Sequence, residues 1–185
     1  MAGRIRTKRL VLRPWEHSDL DALTAIFAKH EVWRFPLGRG MTPQETEGFL
    51  VVRLHEQETR GWAEWAAEDA GTGRLIGSIG LSEPTFLPEI MPAVEVGWRL
   101  DPDVWRRGLA TEGAVAALDH GFSTLGIDEV VSICQPANVA SERVMLRLGM
   151  TFDRETEHPS RRIPLRVYRL PRARWQPPRG VLEAP

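Results

Sequence analysis

Residues 9–14, Arg-Leu-Val-Leu-Arg-Pro, set apolar against polar positions in the short period of a strand, and Pro14 closes the run. The period then lengthens. Leu20, Leu23, Ile26 and Phe27 recur at helical spacing, and Ser18, with Asp21 three residues on, is the expected N-cap. Thr42-Pro43-x-Glu45 is a stronger start signal, with a hydroxyl cap, proline at the first helical position and a carboxylate at the third. It predicts a helix reaching about residue 58 and ended by Gly61. Residues 62–68, 74–81 and 93–100 read as three strands, the first two joined by the turn residues 69–73. Beyond them 111–122 is helical, 128–134 an apolar strand and 139–148 a second helix, with strand candidates at 151–155 and 165–170.

This order predicts an α/β (α+β) fold: a mixed sheet of about seven strands flanked by about four helices, parallel where a helix crosses over between strands. Residues 82–92 stand apart. Three prolines interrupt the apolar Phe86, Leu87, Ile90 and Met91, which need a lid, a partner or a core to cover them.

A length of 185 residues suits one domain, expected over 1–170, followed by a proline-rich C-terminal tail, 171–185, that frays. With 24 Lys and Arg against 25 Asp and Glu, the net charge of −1 draws the chain neither to nucleic acid nor to an acidic membrane. Any polyanion must be held by local groups. Cys134 is the single cysteine, so no internal disulfide and no cysteine zinc cage can form, and the histidines show no metal-ligand spacing. The basic N-terminus is followed only by Leu10-Val11-Leu12, too short for a signal peptide or a membrane span. The expectation is a cytoplasmic protein without metal.

The segment 101–112, Asp-Pro-Asp-Val-Trp-Arg-Arg-Gly-Leu-Ala-Thr-Glu, lies between a strand and an amphipathic helix and is a candidate anion cradle. Gly108 permits a turn that a side chain would obstruct, Ala110 keeps it small, and free helix-start amides, Arg106, Arg107 and the Thr111 hydroxyl offer donors. Neither G-x-G-x-x-G nor G-x-x-x-x-G-K-[ST] occurs, which removes a dinucleotide fold and a P-loop.

Trp105-Arg-Arg-Gly-Leu-Ala-Thr-Glu112 resembles the pyrophosphate loop of the GCN5-related N-acetyltransferases, in the form of the RimJ/RimL branch that acetylates ribosomal protein N-termini. Arg9-Leu-Val-Leu-Arg-Pro14 resembles that branch's first strand and Val94-Glu-Val-Gly-Trp-Arg-Leu100 its splayed central strand. Asn138-x-x-Ser141, with Leu148-Gly149-Met150, resembles its second cofactor motif. Four motifs in the family's order span roughly residues 9–170.

The resemblance implies a fold with a splayed central strand pair, acetyl-CoA (coenzyme A) as cofactor and acetyl transfer to a primary amine, by direct transfer in a ternary complex. Cofactor contacts are implied for Val96, whose N–H would face the thioester carbonyl, for Trp98 and Leu100, whose backbone would pair with the pantetheine arm, and for Trp105, Arg106, Arg107, Gly108, Leu109, Ala110, Thr111, Asn138 and Ser141. Glu95 is the implied base. The family's usual tyrosine is replaced by Met145, so Ser141 is the candidate donor to the leaving thiolate. Trp33, Arg34 and Phe35 combine aromatic surface with a cation and are the candidate substrate wall, with packing of the following helix as the plain alternative.

A protein α-amine with pKa near 7.7–8.0 is roughly a tenth neutral at pH 7, a lysine only about one part in a few thousand, which favours an N-terminal or small-molecule amine. A homodimer is left open. The competing function is a non-catalytic acyl-CoA-binding sensor or scaffold.

Overall fold

The structure, a computed structural model, is described for residues 3–177. Eight strands form one sheet in the order β1-β2-β3-β4-β5-β6-β8-β7. They are β1 Ile5–Arg6, β2 Leu10–Arg13, β3 Glu64–Asp69, β4 Leu75–Ser82, β5 Val94–Leu100, β6 Glu129–Cys134, β7 Thr151–Glu157 and β8 Pro164–Pro171. Every neighbouring pair is antiparallel except β5 and β6, which run parallel. Five helices flank the sheet: α1 Leu20–Phe27, α2 His30–Leu37, α3 Pro43–Thr59, α4 Leu109–Ser123 and α5 Val139–Arg147.

Side chains alternate across the strands, so the two faces carry separate cores. On one face α4 buries Leu109, Ala114, Val115 and Leu118 against Leu10, Ile76, Ile79, Leu81 and Val96. Gly113 permits this approach, because a Cβ there would come within 2.4 Å of Ile79 Cδ1. On the opposite face Leu23, Ile26, Phe27, Trp33 and Leu50 from α1, α2 and α3 pack over Ala66. Burial of this apolar area, at about 25 cal/mol per Å², dominates the stabilisation.

The expected sheet and its parallel crossover are present, with differences that have local causes. A two-residue β1 extends the edge, and the segment 30–37 forms the extra helix α2. The cap expected at Ser18 is absent; Glu16 instead caps a 3₁₀ turn over His17–Asp19, and Ser18 Oγ donates to Glu16 Oε2. Asp19 is taken by Arg13, which binds it through two nitrogens at 2.6 and 2.8 Å and reaches Glu68 at 2.6 Å. The Thr42–Glu45 capping box forms as expected, and Arg39 grips Glu45.

The apolar loop after β4 is partly covered by its own protein, since Leu87 and Ile90 pack on Val131 and Val167. Residues 171–175 continue the fold. Arg172–Arg174 make a 3₁₀ turn and Trp175 rests 5.8 Å from Phe122, whereas residues 178–185 of the expected tail lie outside the described ones. Among the described residues no helix is long and apolar enough to cross a membrane.

Candidate active site

β5 and β6 are registered only at Val94–Val130 and Glu95–Val131. Ser132 Oγ then donates to the Val96 carbonyl at 2.9 Å, and beyond that point the strands part. The gap opens a cleft of about 720 Å³. Trp98, Leu100, Trp105, Arg106 and Gly108 to Thr111 line one wall, and Asn138, Ser141 and Val144 line the other. Asn138 caps α5 by accepting the Ser141 N–H at 3.3 Å, which holds both residues at the cleft.

The turn from β5 into α4 is heavily braced. Burial favours the neutral form of the Asp101 carboxyl, but the hydrogen bond from Lys29, the Asp103 N–H and the charges of Lys29 and Arg74 together outweigh it and keep the group below its ordinary value. Asp101 also accepts the Asp103 N–H at 3.1 Å, and Trp105 Nε1 donates to the Leu100 carbonyl at 2.8 Å. Gly108 precedes α4 at φ 78°, in the left-handed region that costs other residues about 1–2 kcal/mol. It has no side chain with which to cap the helix, so the first amides point out of the helix end into the cleft.

Behind the turn the buried Glu112 accepts from Thr7 Oγ1 at 2.7 Å, the Arg9 backbone N–H at 2.8 Å and Arg9 Nε at 2.7 Å. Arg9 Nη1 in turn donates to the Arg107 carbonyl at 2.7 Å. The first strand and the loop are thereby locked together.

A second cavity, of about 310 Å³, joins the first through Phe35, Trp98, Arg99, Asn138 and Ser141, which line both. Glu95 and Arg99 enter it from β5 and Glu64 from β3. Glu64 accepts from Ser78 Oγ and lies 3.6 Å from Arg53. The Glu95 carboxyl is pushed up to about 7, first by burial and then by the charge of Glu64; Arg99 and the Ile133 N–H, which it accepts, pull the other way.

The outer walls are aromatic. α2 breaks at Phe35 (φ −115°, ψ 121°), because the residue before Pro36 disfavours helical geometry. Trp33 and Phe35 form one wall and Phe86, stacked on His158 at 5.3 Å, the other.

The remaining chemistry-bearing residues are quiet. Cys134 lines the smaller cavity, but burial pushes its thiol up to about 11, so it stays protonated. Tyr168 donates to Glu142 and is pushed up to about 12, by burial first and that hydrogen bond second, and it lines neither cavity.

Most of the residues singled out in the sequence converge on this bipartite cleft, with three differences. Val96 is buried in the core and its carbonyl is taken by Ser132. Arg107 offers its carbonyl to Arg9 and does not line the cleft. Arg34 lies on the larger cavity, over the Phe35 ring, away from Trp33's cavity. Glu64 and Arg99 were not expected, nor was the Arg9–Glu112 brace. The only sequence signal of Glu64 and Arg99 is a charged residue on the inward face of a strand, which is uninformative until the facing elements are placed.

Over residues 9–151 the sequence matches the acetyltransferase (GNAT) domain family. The chain belongs to this family. It is 31% identical over 147 residues to YoaA, an uncharacterised N-acetyltransferase of Bacillus subtilis, covering 78% of this chain and 81% of that one. A crystal structure of an acetyltransferase from Agrobacterium tumefaciens superposes with a TM-score of 0.78 at 29% identity, over 92% of this chain and 95% of that chain. RimL, a ribosomal L7/L12 alpha-N-protein acetyltransferase in complex with coenzyme A, shares the fold at a TM-score of 0.73 and 18% identity, over 91% and 98% of the two chains. A GNAT domain is an acyltransferase that uses acetyl-CoA. The residues present suit that group: an uncapped helix start beside Arg106 matches a pyrophosphate, and a strand edge freed of its neighbour matches an extended amide-bearing arm.

Proposed function

We propose that the chain transfers an acetyl group to a primary amine by direct attack in a ternary complex. The observation that supports this most is the continuity of the two cavities, with an anion-binding helix start at one end and an acid–base carboxylate, Glu95, at the other. Acetyl-CoA, when bound, supplies an activated thioester.

Gly108 to Thr111 hold its diphosphate through their amides, and the freed edge of β5 at Trp98 and Leu100 aligns its arm. Glu95 accepts a proton from the incoming ammonium, a task suited to a carboxyl that titrates near neutrality. The Ser141 hydroxyl offers a hydrogen bond where negative charge develops on the departing thiolate. A serine hydroxyl is a weak acid, so its part is to stabilise charge and water completes the protonation.

The four motifs support a place in the RimJ/RimL-like branch, and the lone, buried Cys134 and the net charge of −1 support a cytoplasmic enzyme acting on small amines in preference to nucleic acid. Thiol release from acetyl-CoA, measured against a panel of peptides, amino acids, polyamines and aminoglycosides, tests the assignment. Amine-dependent release is expected. Tight coenzyme A binding with no amine-dependent release from any acceptor would replace the enzyme with a sensor.

A further inference from the structure

Arg99 enters the smaller cavity from β5, and acetyl transfer does not use its chemistry. Its guanidinium lies 4.2 Å over the Trp33 ring, and among the described residues it makes no ion pair and no hydrogen bond. Withdrawing a cation from water is costly: burial lowers the Arg99 pKa, and the charges of Glu64 and Glu95, neither of them paired with it, only partly offset that. Stacking covers only the guanidinium face. Its five N–H groups lie in the plane of the fork, so the edge stays free for a planar, bidentate anion such as a carboxylate.

The placement of Arg99 relative to Glu95 gives that anion a context. Both residues are on β5, four apart, so their side chains leave the same face of the sheet, with Cα atoms about 13 Å apart at roughly 3.3 Å per residue. Gly97, between them, contributes no side chain. Instead Glu64 Oε1 reaches across from β3 to 3.4 Å from where a Cβ of Gly97 would stand. The face therefore reads carboxylate, carboxylate, cation, the first and last from β5 and the middle one from β3, in a cavity also lined by the aromatic Trp33, Phe35 and Phe86.

We infer that the acceptor is a small amine that also carries a carboxylate, an amino-acid-like molecule whose ammonium lies at Glu95 and Glu64 and whose carboxylate is bound by the edge of Arg99. This rests on the assignment of the smaller cavity as the acceptor site. The cavity's 310 Å³ stands at the lower end of the roughly 300–1,000 Å³ of small-molecule sites, which suits a single amino acid better than a long peptide. The aromatic wall then receives an apolar side chain.

The test compares phenylalanine, phenylalaninamide and phenethylamine as acceptors, with methionine and methioninamide as a second set and an N-terminal phenylalanyl tripeptide as a longer acceptor. The free amino acids are expected to exceed their amides in kcat/KM by about 10- to 100-fold, the range of one charge-assisted pair. Arg99→Met should bring that ratio to within about threefold of one by raising KM for the amino acid, and Arg99→Lys should restore part of it.

Equal kcat/KM for acid and amide in the wild type, or preference for the tripeptide, would overturn the inference. So would an Arg99→Met variant that loses coenzyme A affinity by calorimetry, since the anion would then be a cofactor phosphate. If no acceptor is turned over, the acetyl-transfer assignment fails separately, and calorimetric titration of the coenzyme A complex with phenylalanine and its amide still decides the matter. Selective, Arg99-dependent binding of the acid supports the inference, and equal or absent binding refutes it.

Discussion

Glu95 binds its proton more tightly in the folded chain than in the unfolded one, because the cleft withdraws the carboxyl from water and Glu64 adds a like charge. Its ordinary value of 4.5 rises to about 7. The sign of the consequence follows from linkage: below about pH 4.5 the carboxyl is protonated in both states and costs nothing, and stability falls as pH rises from there towards 7, where only the folded form must hold the charge against its environment. Activity runs oppositely, since the ionised form is the base. The expected kcat/KM profile rises with pH to a plateau above about 7. Glu95→Gln should remove that limb and cost about 10²-fold in kcat, while its melting temperature at pH 8 equals or exceeds the wild type's. A variant that kept the wild-type pH limb would remove Glu95 as the base. The carboxylate is legible in the sequence by resemblance to its family. Its tuning is not, because Glu64 stands about thirty residues earlier and meets it only across β4.

At the scale of the element, the start of α4 is the most legible and the most incompletely legible part of the chain. Small residues, arginines and an amphipathic run announce an anion-binding turn. What holds the turn in place is a carboxylate that, by sequence, is explained equally well by the helix dipole. Glu112 is buried and receives three hydrogen bonds from Thr7 and Arg9, residues more than a hundred positions away. Glu112→Ala should destabilise the fold by about 2–4 kcal/mol, as expected when a buried, hydrogen-bonded charge pair loses one partner. It should also weaken coenzyme A binding, because Arg9 would no longer be oriented to clamp the Arg107 carbonyl. Denaturant midpoints and calorimetry measure the two effects; unchanged affinity would make the brace purely structural. α2 was missed for a related reason. A helix of eight residues broken at Phe35 and containing Pro36 has too weak a period to announce itself, and it exists because Trp33 packs on Phe27 and Phe49.

In the whole molecule, two halves of one sheet meet at a partial seam. β1 to β5 with α1 to α4 lie on one side, and β6 to β8 with α5 on the other, with strand pairing between β5 and β6 confined to two registered positions. A ligand that lies in the cleft touches both sides. Coenzyme A binding should therefore slow amide exchange along residues 97–100 and at the start of α4, as well as raise the melting temperature by mass action, about 2.7 kcal/mol at a hundredfold excess over Kd. Hydrogen exchange by mass spectrometry reads this directly, and protection confined to some other region would place the cofactor elsewhere. Trp175 adds a closing contact to the second half through Phe122, tying residues just beyond the last strand to the body of the fold.

The sequence by itself determined the elements with strong periods, the Thr42 capping box, the placement of a strand-to-helix anion turn and, through four motifs, the family. These are local properties, written in spacing and in the few residues that particular turns require. Only the tertiary structure decided that Glu112 braces the loop, that Glu64 comes near Glu95, and that Arg99 stands on Trp33. Charges such as these interact over a few ångströms of space while separated by tens of residues of chain, and the residue type at either end carries no mark of its partner.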